Sequence, residues 1–370
     1  MGILLVTAIC LSVRNSASLA PGVGVTARRR QVVSPCPSCW EVRVGTRVSF
    51  VIVNWGQPEV TIMCVDSVKA QRVDAEVEVE IIVIDNESTP ASRSRLESIP
   101  GIVLLVHGDN RGYTGGMNAG FAVATGDYVA AVNNDLVLAP DWLAKGLVQL
   151  AEQDVGLVGG VEFVWNDANP PGDMSNISNT LMHIDARDGY SYRTDEPTST
   201  RDVYALDGNN LLMSRQLVDV LGGFDEDFFM YYEDGDLCAR ALALGYRVRF
   251  CAEMYVWHRR NFSSDRIVYL RQYLAQRNHL IFVARHFPEA SWRRTVRRLA
   301  LQYVLFGVIG REAGLRRWKT VPPLGVTSRR AHLASGLWGL SHKSYLSAKR
   351  RQASASGQRS DAYVTRLQLP

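Results

Sequence analysis

Four runs of branched aliphatic residues constrain this chain more than any other feature: RVSFVIVNW (47–55), EVEIIVIDN (78–86), GIVLLVHG (101–108) and DYVAAVNND (127–135). Each is short and continuously apolar, as a strand covered on both faces must be, whereas a strand with one wet face alternates. A fifth run, VGLVGGVEF (155–163), extends the series. Between the runs stand EVTIMCVDSVKAQ, GGMNAGFAVATG and DWLAKGLVQLAEQ, whose apolar residues recur at helical spacing. Strands alternating with helices predict an α/β fold, with a mostly parallel central sheet flanked by helices.

Open parallel sheets bind ligands beyond the carboxyl ends of their strands, and here those ends are polar. Asn54 and Trp55 follow the first run, Asp85 and Asn86 the second, and Asn133, Asn134 and Asp135 the fourth. Asp85 can accept a hydrogen bond from a ribose or base, and Asn86 offers both a donor and an acceptor. In NRGYTGGMNAG (110–120), Gly112 and Gly116 allow backbone to approach a ligand, and a helix start is expected near Gly116. A plain glycine turn explains the same motif, which is neither a Walker loop nor a spaced GxGxxG. Asp135 is a hard oxygen donor suited to Mg²⁺ or Mn²⁺, or else a cap for the helix that follows. His258 ends a later strand pattern, YRVRFCAEMYVWH, and pairs sensibly with Asp135 at a metal if the fold unites them.

MYYEDGDLCARALALGYRVRF (230–250) crowds Glu233, Asp234 and Asp236 at the start of a helical pattern in which Leu237, Ala241 and Leu244 share a face. A helix N-terminus favours ionised carboxylates, so Asp234 is fitted to act as a general base. Glu233 and Asp236 are then expected to orient it, to bind acceptor hydroxyls or to satisfy backbone N–H groups. Capping accounts for one acid there and poorly for three.

The remainder sets boundaries. A length of 370 residues with 46% hydrophobic content supports one large core or two smaller ones, and a net charge of +4 gives no reason to expect nucleic acid. Of six cysteines, Cys64, Cys238 and Cys251 lie in apolar surroundings and read as reduced thiols, which favours the cytosol. Cys36 and Cys39 form a lone CPSC without the partners a zinc or redox site needs. MGILLVTAICLSV resembles the apolar part of a signal peptide but lacks its leading positive charges.

The divisions expected are an extension of uncertain structure (1–46), the α/β domain (47–262), a helical region (263–325) and a loose polar tail (326–370). Residues 165–200 read as a long polar loop. The helical region carries patterns at 264–286 and 289–311. The second flanks an apolar stretch containing Tyr303, Phe306 and Trp318 with arginines. That is the pattern of a helix lying in a membrane interface, and equally of a helix packed on the domain with its arginines in water.

Taken together, FVIVNW, IIVIDNES, NRGYTGGMNAG, VNNDL and GGFDEDFFMYYEDGDLCARALALGYRV resemble the family 2 inverting glycosyltransferases, in their rhamnosyltransferase-like branch, over about residues 47–260. The resemblance implies a GT-A fold, a nucleotide-diphospho-sugar donor and a divalent metal, Mg²⁺ or Mn²⁺. By motif, Asp85 would bind the nucleoside and Asn118 would lie near the donor, together with Asn54, Asn86, Gly112, Gly116 and Asn134. Asp135 would hold the metal where the last Asp of a DxD motif stands, His258 falls where some members place a further ligand, and Asp234 would be the base. The chain departs from DxD at Asn133.

What is implied is transfer of a hexosyl group, rhamnose as best guess, to a glycan or lipid-linked glycan in cell-surface polysaccharide synthesis. The expected location is the cytoplasm, with peripheral contact on the inner face of the plasma membrane. A nucleotide-sugar-binding protein without catalysis and a metal-dependent nucleotide-sugar phosphohydrolase are the competing readings.

Overall fold

The computed structural model describes residues 45–167, 170–178, 181–194, 199–259, 268–310 and 325–358. The expected extension (1–46, apart from its last two residues), Cys36, Cys39, Trp318 and residues 359–370 lie outside them.

The Val/Ile runs form strands β1 (Arg47–Asn54), β2 (Glu78–Asn86), β3 (Val103–His107) and β4 (Tyr128–Asn133). Helices α1 (Pro58–Lys69), α2 (Pro90–Glu97) and α3 (Gly112–Val123) connect them. Then come β5 (Leu136–Leu138), α4 (Trp142–Leu150) and β6 (Val155–Val164). Residues 165–200 are not only a loop, because they contribute β7 (Ile177–Ser178) and a hairpin of β8 (Leu181–Ile184) and β9 (Ser191–Thr194). Their strands are too short to show a period in so polar a stretch. β10 (Arg201–Asp202), β11 (Asn210–Ser214), α5 (Arg215–Leu221), α6 (Glu233–Ala243) and β12 (Arg247–His258) follow.

The sheet runs in the order β10-β12-β6-β11-β4-β1-β2-β3, with β5 beside β12 and β7 beside β6. β3, β2, β1 and β4 are parallel, as are β6 and β12, and β11 is antiparallel to both of its neighbours, β4 and β6. The expected class, an α/β fold with a mostly parallel sheet and helices on both faces, is the one adopted. Alternation along a strand assigns the faces. Phe50 and Ile52 of β1 pack toward α1, α2 and α4, while Val51 packs toward α3, α5 and α6. Cys64, Cys238 and Cys251 are buried free thiols, and burial pushes each thiol up.

Four helices close the described chain: α7 (Val268–His286), α8 (Trp292–Ile309), α9 (Val326–Ser341) and α10 (Lys343–Ala355). The expectation of a loose tail from 326 is therefore corrected for residues 326–355. Its interface escaped notice because it is built from small residues. Ala331, Ser335, Gly336 and Gly339 of α9 are buried, and a Cβ on Gly336 would stand 2.6 Å from the Ala300 carbonyl oxygen of α8. Close helix contact through small side chains leaves no apolar stripe for periodicity to detect. The helices share a core with the hairpin and α6, in which Phe282, Trp292, Tyr303 and Leu346 meet Met182, Ile184 and Ala239.

Candidate active site

A cavity of about 460 Å³ opens at the carboxyl ends of the strands. Trp55, Asn86, Gly112, Asn133, Asn134, Asp135, Glu233, Asp234 and His258 line it, so residues more than a hundred positions apart do converge.

Register explains one convergence. β5 pairs antiparallel with the end of β12, setting Leu136 opposite His258, and β12 runs parallel to β6 with His258 beside Val164. Asp135 therefore stands next to His258, and their Oδ1 and Nε2 atoms are 3.1 Å apart. The other imidazole nitrogen, Nδ1, lies 3.1 Å from Oε1 of Glu162, which also accepts a hydrogen bond from the Asn209 amide at its second oxygen. Burial opposes a charge on this ring, but the two carboxylates outweigh it and raise the His258 pKa to about 10. Glu162 was overlooked in the sequence, although a single acid near the end of an apolar strand was the available signal.

This arrangement fits a divalent cation, which would take the place of the proton that the two carboxylates hold on the imidazole. Neighbouring ligands of an octahedral ion at roughly 2.1 Å lie about 3 Å apart, which is the Asp135–His258 separation. A carboxylate on the far nitrogen, as Glu162 provides, is the usual way to orient a metal-binding imidazole. Among the described residues, no group of three or more His, Cys, Asp or Glu forms a full protein cage.

Other strand-end residues support the site from beneath. The Asn134 amide donates to Thr61 Oγ1 (3.0 Å), which donates to Asn54 Oδ1 (2.8 Å), and the Asn54 amide donates to Ser88 Oγ (2.9 Å). The Ser88 N–H in turn donates to Asp85, whose fully buried carboxylate also pairs with Arg93 at 3.0 Å. Asn54 and Asp85 thus form part of a buried scaffold and do not line the cavity. Asn86 does both, since its side chain accepts from the Arg111 N–H and donates to the Gly112 carbonyl while facing the opening.

The glycine motif also differs from expectation. α3 begins at Gly112 and not near Gly116. A Cβ on Gly116 would meet Val53 at 2.8 Å, so this glycine serves helix–strand packing and lies outside the cavity. Gly112 has φ +70°, and a Cβ there would stand 2.5 Å from the Phe229 carbonyl oxygen. Asn118 is likewise outside, bridging the N–H and C=O of Phe224 with its amide.

The opposite wall is Phe229 to Asp234. Asp234 accepts from the Gly208 N–H at 3.1 Å and from the Gly235 N–H at 2.7 Å, and its half-exposed carboxylate reaches the cavity. Tyr113 steadies the same loop by donating to the Gly208 carbonyl at 2.7 Å. Glu233 is only 7% exposed, and its Oε2 has no hydrogen-bond partner. Burial first, and then the neighbouring Asp234, raise its pKa well above the usual range. Asp207 is a further cavity carboxylate that the sequence did not reveal.

Asp236 is a correction. It is fully buried, paired with Arg240 (2.7 Å), Arg285 (3.2 Å) and His286 (2.8 Å), and cannot touch an acceptor. Burial alone would raise its pKa, yet Arg285, Arg240 and His286 hold it far below the carboxylate range. The three crowded acids therefore divide into one cavity carboxylate, one buried cavity-wall acid and one structural anion.

Residues 49–219 match the family described as Glycosyl transferase family 2, a segment that contains Asn86, Gly112, Asn134, Asp135 and Glu162 of the cavity and stops short of Asp234 and His258. The O-antigen biosynthesis protein RfbC of Myxococcus xanthus is 27% identical over 250 residues, 63% of this chain and 19% of that protein. The O-antigen chain rhamnosyltransferase WbaN of Salmonella anatum is 25% identical over 194 residues, 50% of this chain and 58% of its own length. The chain thus spans less than two thirds of either relative. A solved mannosyltransferase, PcManGT of Pyrobaculum calidifontis in complex with GDP-Man and Mn²⁺, superposes with a TM-score of 0.46 at 17% identity, over 87% of this chain and 85% of that one. Over residues 49–219, therefore, the chain is similar to the family 2 glycosyl transferases.

Proposed function

We propose that this protein is an inverting glycosyltransferase that moves a hexosyl group, rhamnose as the first candidate, from a nucleotide-diphospho-sugar to a hydroxyl of a glycan or lipid-linked glycan. The observation that carries the reading is the charge of the cavity. Asp135, Glu162, Asp207 and Asp234 line it beside the protonated Glu233, and among the described residues His258 is its one basic side chain, with no Lys or Arg. An anionic diphosphate enters such a space only with a cation, and Asp135 with His258 would hold one. A bound Mg²⁺ or Mn²⁺ supplies positive charge against the departing diphosphate.

The chain's own residues do the rest. Asp234 takes the proton of the acceptor hydroxyl, and that oxygen forms a bond to the anomeric carbon as the bond to the nucleoside diphosphate breaks, inverting configuration. Asn86, Asn134 and Gly112 line the donor side. Such base assistance contributes about 10²–10⁴-fold in rate. WbaN, named as an O-antigen chain rhamnosyltransferase, supports rhamnose as donor sugar and cell-surface polysaccharide as product.

A peripheral membrane contact belongs to the same reading. No helix among the described residues is long and apolar enough to cross a membrane. α8 nevertheless exposes Arg293, Arg294, Arg297 and Arg298 and, further along, Leu301, Leu305, Val308 and Ile309, while α7 to α10 contain no Asp or Glu. Cations beside exposed aliphatic groups suit an anionic bilayer surface. Flotation with vesicles containing phosphatidylglycerol should carry the protein, and Leu305→Asp with Arg297→Glu should abolish it.

Thermal shift against UDP-, GDP- and dTDP-sugars with Mn²⁺ should identify the donor, since a ligand of the folded state raises its melting point. Radiolabelled transfer then decides the activity. Sugar release to water at a rate indifferent to acceptor would favour the phosphohydrolase instead, and donor binding without any product the non-catalytic protein.

A further inference from the structure

We propose that Asn278, with His279 beside it on α7, is a positioning residue that fixes the presentation of Asp234 to the cavity; the assignment rests on Asp234 being the base proposed above. Four consecutive residues, Phe229 to Tyr232, lead into α6 and form cavity wall. Phe229, Tyr231 and Tyr232 have φ of 65°, 71° and 69°, in the left-handed region that aromatic side chains disfavour. Such a run persists only where its surroundings over-determine it.

Asn278 does so from a helix more than forty residues downstream. Its amide nitrogen lies within hydrogen-bond distance of the carbonyl oxygens of Phe228 (2.8 Å), Met230 (2.7 Å) and Tyr231 (2.7 Å), among which its two hydrogens are shared. Its own oxygen accepts from Arg277 Nε (2.9 Å) and Nη2 (2.7 Å), and that guanidinium also reaches the Asp227 and Phe228 carbonyls. The side chain is fully buried. Neither a regular helix nor a strand turns three such carbonyls toward one atom, so the amide matches this strained conformer and no other.

His279 secures the next residue and the hairpin. Its ring stacks on Tyr232 at 5.3 Å and 7°, Nε2 lies 2.7 Å from the Asp188 carbonyl, and Nδ1 lies 2.6 Å from the Tyr303 hydroxyl of α8. The Tyr232 hydroxyl accepts from the Ser191 N–H and donates to the Gly189 carbonyl, tying in the turn of the β8–β9 hairpin. Since Tyr232 is the N-cap residue of α6, any movement of it passes directly to Glu233 and Asp234.

The test compares the full chain with Asn278→Ala, Asn278→Asp and His279→Phe. The Asp variant keeps the volume and the Arg277 partner but cannot donate; the Phe variant keeps the stack and loses both polar contacts. Amide exchange over residues 228–236 should quicken at least tenfold in both Asn278 variants, with β1 and β2 unchanged. The kcat for transfer should fall about 10–100-fold, as a misplacement near 1 Å produces, while donor KM stays within about threefold. His279→Phe should lose about 3–10-fold in kcat. Unchanged exchange in 228–236, or a kcat per folded molecule within twofold of the parent, would overturn the assignment. If Asn278→Ala does not fold, the other two variants decide. Should the parent transfer no sugar from any donor, the function proposed above fails, and the exchange data still decide whether Asn278 holds the loop.

Discussion

The two walls of the cavity are built differently. On the strand-end wall, each polar side chain follows directly from the strand that carries it, and the supporting bonds (Asn134 to Thr61 to Asn54 to Ser88) run between adjacent β–α units. On the other wall, Phe229 to Asp234 owes its shape to α7, with α8 and α10 behind it. Asn278 holds its carbonyls, Arg285 and His286 hold Asp236, and Lys349 of α10 pairs with Asp225 at 3.1 Å. The first wall is a local consequence of an alternating α/β sequence. The second is held by contacts from the C-terminal helices, so those helices help to build the candidate site whether or not they also meet a membrane.

Several substitutions would break or sharpen this contrast. The largest effect is expected at Asp234→Asn, which should cut transfer about 10²–10⁴-fold while leaving binding of the nucleoside diphosphate nearly unchanged. A variant with full activity would remove Asp234 from the mechanism. Next is Asp236→Ala, which strands two guanidinium groups in the interior and should lower stability by about 3–5 kcal/mol in denaturant unfolding. Because its pKa is depressed, the contribution of Asp236 is present above about pH 4 and disappears as pH falls further. The wild type should therefore lose more stability between pH 5 and 3 than Asp236→Asn does.

On the strand-end wall, His258→Ala should weaken Mn²⁺-dependent donor binding about 10–100-fold, read by calorimetry, because one ligand is lost while the fold is kept. Equal affinity with and without the imidazole would show that Asp135 alone suffices. The smallest effect is set by Glu233. Its raised pKa means that the folded chain holds a proton the unfolded chain releases, so stability is lost as pH rises above about 4.5. Glu233→Gln should flatten that decline, read as a smaller loss of denaturant stability between pH 5 and 8 than in the parent. An unaltered pH slope would mean that Glu233 is ionised in the folded protein.

Strand periodicity was enough to place β1, β2 and β4, and the polar residues closing the runs marked Asn86, Asn134, Asp135 and His258, which line the cavity, together with Asn54 and Asp85, which do not; Asp234 was marked by the crowded acids at a helix start. The glycines of α3 were visible, but their task was not. A sequence shows that Gly116 lacks a Cβ and cannot show that Val53 occupies the space. Glu162 and Asp207 were likewise hidden, since an acid in or beside a strand has no meaning until its neighbours are known.

What the sequence determined alone was a sheet whose central strands are buried on both faces, because continuous Val/Ile runs between amphipathic helices require it; the edge strand β3 carries a similar run and leaves Val103 and Val106 exposed. The sequence also determined where that sheet's polar ends lie. What only tertiary structure decided was the fate of the three crowded acids. Side by side in the chain, Glu233, Asp234 and Asp236 are alike in chemistry. Helix geometry points them in different directions, so that one meets Arg240 of its own helix and Arg285 and His286 of α7, one has an oxygen with no partner, and one meets the cavity. The ionisation and role of a carboxylate depend on what surrounds it in space, and that is set here by contacts that reach as far as His286, fifty residues from Asp236.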